Sequence, residues 1–474
     1  MSMRVRFSPA LTGALDIGGA RTALLNHLIA SRGGALVLRI EDADPTRTMS
    51  GAEDALLADL RWLGITWSEG PDAGGPYAPY RQSERTDAHA SHLAELTASH
   101  AAYRCFCTAK AVAAERAEDE KAGGASRCHD TCRALSSEES EARASAGEPY
   151  AWRFAVPVAE TVLWEDAVQG EISVRSEDIG DFVLADSDGT FTRVFASWAD
   201  DVDMHIALVV RGDGDISMTP RQILLSRAAG VEPLAYGHLP SVTSPDGAPL
   251  CESVGHTGIT ELRDTGYLAS AVVEYLALLG WSDPDDRENP TLSDVEQAFS
   301  LDRVSKAPCV HDPERLRTIN ARHLRALPHD ALVRTLGAYM SRPPGWADFD
   351  ALFEAARDEV VVASDIVTIA DFVVSRPSQL SLDAEAHAAL VVVSAALEAA
   401  DPGSYNGEAL VGRIRRKLKA AGLQPNVGLE ALRIALTGQE SGLPLTALLS
   451  IMGVAEALIR IDSTQVDTHR ARKR

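Results

Sequence analysis

The sequence predicts a doubly wound α/β domain followed by an all-helical domain. Residues 4–47 carry a strand, a glycine-rich loop, a helix and a second strand in that order. Strand-like runs return between 151 and 212, and from about 300 onward nearly every segment has the spacing of an amphipathic helix. A parallel β-α-β unit with more helices behind it is the pattern of a doubly wound sheet.

Taken in order, VRF is a short apolar strand and TGALDIGGA a glycine-rich loop. TALLNHLIAS repeats apolar residues at helical spacing, and ALVLRI is a continuous apolar run, as in a buried strand. Residues 86–150 are Ala/Glu-rich and read as helical. AWRFAV, EISVR and FVLAD read as strands. IALVVRG is an apolar run ending in Arg-Gly, and TPRQILLSRAAG after it reads as a helix. In the back half, AHAALVVVSAALEAA and GLPLTALLSIMGVAEALIRI are helices. A loop that opens onto a helix after a first strand is where a phosphate should sit. Backbone N–H groups and the helix dipole point there. Gly13, Gly18 and Gly19 let the backbone approach such a ligand closely.

Composition narrows the class. Apolar residues make up 45% and charged residues 24% of the 474 residues, the balance of a globular protein of several domains. No run approaches the ~20 apolar residues that span a bilayer, and MSMRVRFSPALTG lacks the charged-then-apolar pattern of a signal peptide. A cytoplasmic protein is the expectation. The net charge of −23 keeps the chain soluble and does not exclude a local basic face.

Six cysteines in a chain this long make no disulfide framework. Four of them cluster: Cys105 and Cys107 form C-x-C, and Cys128 and Cys132 form C-x-x-x-C some twenty residues later. Two short spacings joined by a longer loop let four thiolates converge on a tetrahedral zinc. The site reads as structural, because no ligand position is left for water. His129 is a substitute ligand, and four unconnected reduced thiols are the plainer alternative. Cys251 and Cys309 read as ordinary thiols.

RFSPALTGALDIGGARTALLNHL closely resembles the opening of class I glutamyl-tRNA synthetases, whose loop carries the ATP-binding HIGH signature. LRIEDADPTR, YRQSER, AYRCFC, VVRGDGDISMTPRQILL, RDTGYLASAVVEYLALLGWS, RVSKAP and LRIALTGQESG resemble later blocks of that family, in family order to about residue 460. The resemblance implies a Rossmann-type catalytic domain at 1–320, with an acceptor-end insertion at about 86–190 and a stem-contact region at about 240–320. A helical anticodon-binding domain follows at 321–474. It implies ATP with Mg²⁺, glutamate and a glutamate-type tRNA as partners, a monomer, and a zinc knuckle in the insertion. Arg6 and Arg211 match positions around the glutamate side-chain carboxylate, and Glu41 the position that receives its ammonium. Ser8 and Arg193 fall in the same pocket. A guanidinium forks onto a carboxylate, although any of these charges could instead serve a packing ion pair.

The chain departs from the family at its ATP signatures. Asp16 stands where the family has His, beside Gly18 and Gly19. Family members read close to PDGKKLSKRHG, whereas this chain reads SPDGAPLCESVGH from Ser244 to His256. Glu252 replaces the lysine that neutralises the leaving pyrophosphate, and Ser253 replaces the next cation. An anion about 4 Å from a phosphate, at an effective dielectric near 20, costs about 4 kcal/mol. That is about a thousandfold in rate if it falls on the transition state. Arg193 replaces a pocket Tyr, and GDGDIS replaces GEDHLS, so another His is lost. Arg193 is a candidate new cation near Asp16.

In the back half, GRIRRKLKAAG sets Arg413, Arg416 and Lys417 on one helical face and Arg415 and Lys419 on another. Such a face neutralises tRNA phosphates or is merely solvated. Arg433, in the anticodon-domain block, is a second candidate contact. Three functions compete. The reading adopted is a glutamate–tRNA ligase with chemistry weakened by the altered signatures, and the alternative is a defective paralogue that binds tRNA or glutamate. Transfer of glutamate to a non-standard acceptor is disfavoured, because the family's tRNA-modifying relatives lack the anticodon domain that this chain resembles.

Overall fold

The computed structural model describes residues 3–44, 46, 48–108, 110–115, 131–248, 250, 258–287, 291–340, 345–377, 380, 382–400 and 406–471. The chain divides into two compact units. One comprises 1–262 and 272–312, the other 263–271 and 313–474.

The first unit is built on a six-stranded sheet. Its strands are β1 (Arg4–Phe7), β2 (Ala35–Leu38), β5 (Thr161–Asp166), β6 (Gly170–Arg175), β8 (Leu208–Gly212) and β9 (Ala235–Leu239), in the order β2-β1-β8-β9-β5-β6. All neighbours are parallel except β5 and β6. The chain runs from β1 outward to β2, then returns to place β8 on the other side of β1. This reversal is a topological switch point, and ligands bind outside the carboxyl ends of strands at such points. Helix α1 (Ile17–Ala30) connects β1 to β2 and buries Ile17, Ala20, Ala23, Leu24, Leu25 and Leu28. It is apolar nearly all round, as a helix packed in the interior must be. Helices α2 (Ala52–Trp62) and α3 (Thr86–Ala98) follow, and α4 (Arg193–Asp203) and α5 (Thr219–Ala228) flank β8.

Five strands were not foreseen: Ala102–Cys105, β5, β9 and the short pair Val242–Thr243 and Cys309–Val310. β3 (Ala102–Cys105) lies in the stretch read as helical. It pairs antiparallel with β4 (Ala151–Phe154), which pairs with β7 (Phe182–Ala185) in a separate three-stranded sheet. Four residues are too few for periodicity to separate strand from helix, and cross-strand partners decide. β5 and β6 lie within 86–190 yet join the edge of the main sheet. The short strands β10 (Val242–Thr243) and β11 (Cys309–Val310) pair in parallel.

The second unit is helical, as its spacing predicts. Its longest helices are Pro313–Ala326, Ala384–Glu398, Gly407–Ala420 and Pro425–Thr437, and the last segment, Leu445–Ala471, is helical on either side of a kink at Gly453 (φ 69°, ψ 171°). Leu390, Val393, Leu397, Ile414, Leu418, Leu432, Leu448 and Leu449 are buried in one shared core. Among the described residues, no helix is long and apolar enough to cross a membrane.

Candidate functional site

At the carboxyl end of β1 the chain enters a loop and turns into α1. Helix α1 begins at Ile17, so Gly18 and Gly19 lie in its first turn rather than in the loop. The cause is Asp16. Its backbone is extended (φ −89°, ψ 174°) and its Oδ1 accepts the Gly19 N–H at 2.6 Å. A short acceptor side chain at this position satisfies one of the helix's orphan donors. A Cβ on Gly19 would stand 3.2 Å from that oxygen and 3.0 Å from the Leu15 side chain, so a larger residue would crowd the cap. Gly13 is open on its Cβ side. Gly258 forms a backbone bridge with Asp16, and the Ile259 N–H donates to the Leu15 carbonyl at 2.9 Å. The chain just after the second signature thus lies against the first. Glu252, Ser253 and Cys251 themselves fall outside the described residues. A cleft of about 550 Å³ runs along Phe7–Asp16 and reaches Gly19, Arg193 and Gly258. The Ser8 Oγ, beside this cleft, is buried without a hydrogen-bond partner among the described residues.

Two buried arginines sit on the strands that flank the switch point. Arg6 on β1 is 4% exposed. Its Nε donates to Asp201 Oδ1 at 3.1 Å and its Nη1 to the Val210 carbonyl at 3.3 Å. Arg211 on β8 is 6% exposed and has no carboxylate within ion-pair distance among the described residues. Its Nη2 donates to Thr219 Oγ at 2.8 Å and its Nε to His238 Nε2 at 3.2 Å. His238 is fully buried, with Nδ1 at 2.5 Å from Asp166 Oδ2. The carboxylate accepts a hydrogen bond from Nδ1–H, which leaves Nε2 bare to accept from Arg211. Burial, and then the like charge of Arg6, bring the Arg211 pKa down to about 10. A buried cation without a counter-ion is a site for an anion. Asp166, Thr219 and His238 escaped the sequence reading. Strand register brings His238 and Asp166 to Arg211, and the 3-10 turn after β8 brings Thr219, the first residue of α5.

Glu41 lies three residues beyond β2, with its side chain 4% exposed. Its Oε2 accepts Arg193 Nε at 2.7 Å and its Oε1 accepts Ser197 Oγ at 2.7 Å. The other two Arg193 nitrogens reach Asp215 at 2.7 and 2.8 Å. Arg193 lines the same cleft as Asp16, yet its hydrogen bonds go to Glu41, Asp215 and Met218 and not to Asp16. Asp215 occupies the place of the missing His in GDGDIS. Burial would lift its pKa, but the Arg193 hydrogen bonds win and hold it low.

Cys105 ends β3, and Cys107 and Cys132 bring their sulfurs to it, all within 4.8 Å of one another. Cys107 and Cys132 Sγ are 3.7 Å apart, and the Phe106 N–H donates to Cys132 Sγ at 3.3 Å. Three converging thiols with an N–H donor at one sulfur fit a thiolate zinc site. Cys128 and His129 lie outside the described residues. Cys309 is buried, as an ordinary core thiol is.

In the helical unit, the helix Gly407–Ala420 buries Leu410, Val411, Ile414 and Leu418. Arg415, Arg416, Lys417 and Lys419 are exposed. Arg413 is half-buried and donates to the Ala399 carbonyl, and Arg433 donates to the Leu443 carbonyl at 2.7 Å. These two arginines tie their own unit together, whereas Arg416 and Lys417 point to solvent.

The family described as "tRNA synthetases class I (E and Q), catalytic domain" matches residues 2–318, and an "anticodon binding domain" matches 328–465. A glutamate–tRNA ligase of Carboxydothermus hydrogenoformans is 36% identical over 97% of this chain and 99% of its own length. One of Desulforudis audaxviator is 33% identical over 97% and 96%. The crystal structure of a glutamate–tRNA ligase from Elizabethkingia meningosepticum, in complex with its amino acid, superposes with a TM-score of 0.85. That pair is 26% identical and covers 98% of this chain and 99% of the other.

Proposed function

Since the chain belongs to the class I tRNA synthetases for glutamate and glutamine, we propose that it activates glutamate with ATP and passes the glutamyl group to the 3′ end of a tRNA. The observation that carries this reading is the pair Arg6 and Arg211, buried at the switch point. Arg211 lacks a carboxylate of its own, and glutamate supplies one. Glu41 receives the amino acid's ammonium, and Ser8 adds a hydroxyl to the same pocket. Asp166 and His238 hold the Arg211 guanidinium in place.

Chemistry proceeds by positioning. An oxygen of the glutamate α-carboxylate attacks the α-phosphorus of ATP. The bond to the β-phosphate bridging oxygen breaks, and pyrophosphate leaves with Mg²⁺. A ribose hydroxyl at the tRNA 3′ end then attacks the glutamyl carbonyl. AMP departs, and the hydroxyl proton passes to it or to water. Gly18 and Gly19 allow the phosphates close to the α1 N-terminus. There Asp16 already takes one N–H and adds a negative charge, and Glu252 stands where the family has a cation. Both make adenylate formation slow.

Zinc held by Cys105, Cys107, Cys132 and Cys128 would brace the three-stranded insertion and take no part in the chemistry. Arg416 and Lys417, exposed on the helix Gly407–Ala420, form the tRNA-facing side of the helical unit. The protein works as a monomer in the cytoplasm. The direct test is transfer of radiolabelled glutamate to acid-precipitable tRNA, with glutamate-type and glutamine-type tRNAs compared. Glutamate- and ATP-dependent labelling of either supports the reading. No labelling of either, with tRNA still bound, shifts it to the defective paralogue.

A further inference from the structure

Glu41, Arg193, Ser197 and Asp215 form a cluster at the mouth of the amino-acid pocket, and the buried Arg39 guanidinium backs it, 3.9 Å from Glu41 Oε1 and 3.3 Å from Ser197 Oγ. Arg193 and Ser197 are one turn apart on α4. Glu41 follows β2, and Asp215 lies in the short 3-10 turn Asp213–Met218 after β8. Both Glu41 oxygens are engaged, one by Arg193 Nε and one by Ser197 Oγ, each at 2.7 Å. All three Arg193 nitrogens are engaged as well, two of them on Asp215. The arginine side chain is nevertheless 47% exposed. It covers Glu41 from the solvent side rather than lying in the core.

Arg193 and Asp215 bring one positive and one negative charge to this mouth, and the structure pairs them in a fork. The place on Glu41 that an ammonium would take is filled by the guanidinium Nε–H.

We propose that Arg193 is a specificity-determining latch, an internal cation that occupies the ammonium seat on Glu41 and must be exchanged before glutamate can bind there. Asp215 is its parking partner, able to keep both nitrogens of the fork when Nε lets go. This inference rests on Glu41 being the ammonium acceptor. The latch taxes only ligands that bring an ammonium. If it is closed in about nine molecules of ten, apparent glutamate affinity falls about tenfold. A dicarboxylate without an amine, such as glutarate, reaches Arg6 and Arg211 without disturbing it.

The test is isothermal titration calorimetry of the full chain with L-glutamate and with glutarate, for the native protein, Arg193→Gln and Arg193→Tyr. Arg193→Gln is expected to tighten glutamate binding about tenfold and to leave glutarate within about twofold. Arg193→Tyr, which carries the family's residue, should act in the same direction. Equal gains for both ligands would mean that Arg193 merely blocks the pocket, and would overturn the proposal. So would no gain for glutamate in either variant, including the case where none of the proteins binds it. Pyrophosphate exchange does not enter this comparison, so its failure tells against the ligase reading and leaves the latch to be judged on binding alone.

Discussion

Asp16 performs two tasks with one carboxylate, and they pull in opposite directions. As the cap of α1 it satisfies the Gly19 N–H at 2.6 Å. As a charge it faces the place where a triphosphate should lie. Replacing it with His, the family's residue, should therefore separate stability from activity. Loss of the cap costs about 1 kcal/mol, and thermal unfolding should register it as a small drop in Tm. Removal of the charge should raise adenylate formation, by up to about a thousandfold if all of the ~4 kcal/mol acts on the transition state. A variant that loses stability and gains no activity would leave Asp16 as a cap alone. Part of this was legible beforehand, since Asp16 announces itself as the wrong letter in a known signature. That it begins the helix a turn early was hidden, because glycines in the first turn read as loop.

At the scale of elements, the zinc site and the basic helix each carry a prediction. The thiols of Cys105, Cys107 and Cys132 converge beside the end of β3. About one zinc per chain should be measured by atomic absorption and released by thiol modification. Cys105→Ser should loosen the three-stranded insertion and weaken tRNA binding more than ATP binding. Metal-free protein from a chelator-free purification would refute this. On the helix Gly407–Ala420, Arg416→Glu with Lys417→Glu should flatten the salt dependence of tRNA binding, by about 0.7–0.9 in log–log slope for each phosphate no longer neutralised. An unchanged slope would make this a solvated face. These elements differ in how far the sequence disclosed them. The helices of the back half were legible because their buried residues recur every third or fourth position. β3 was not, since its stability lies in its pairing with β4. Likewise, Arg413 stood among the tRNA candidates, and only the fold reveals its bond to the Ala399 carbonyl.

On the scale of the whole molecule, the first unit is pinned by buried charge. Asp200 on α4 is fully buried and meets Arg39 from beyond β2, and Arg85 and His89 around the start of α3. Burial would raise its pKa, but these partners lower it to about 2; the Asp166 carboxyl, held by His238, also lies at about 2. Both are depressed from an unfolded value near 3.9. Their stabilisation, about 2 kcal/mol each, is therefore present above about pH 4 and lost as pH falls toward 2. Tryptophan fluorescence follows this unit well, because six of the seven tryptophans belong to it. Its urea midpoint should fall steeply below pH 4. Asp200→Asn should cost about 3–5 kcal/mol at pH 7 and make that acid limb shallower. None of this network was visible in the sequence, where Asp200 stands more than a hundred residues from each of Arg39, Arg85 and His89. The switch-point site was visible in outline, since Arg211 ends an apolar run and the family resemblance singles out Arg6. Their closeness, and the Arg193 bridge from Glu41 to Asp215, required the sheet order β2-β1-β8. We propose that glutamate activation is limited by two anions, Asp16 and Glu252. The most direct measurement is glutamate-dependent ATP–pyrophosphate exchange, in the native chain and in Asp16→His, Glu252→Lys and the double variant. We expect slow exchange in the native protein, a gain with each single change, and a double variant that exceeds the product of the singles, because neighbouring charges on one triphosphate couple. Exchange at an ordinary synthetase rate in the native protein, or an inert double variant, would contradict it.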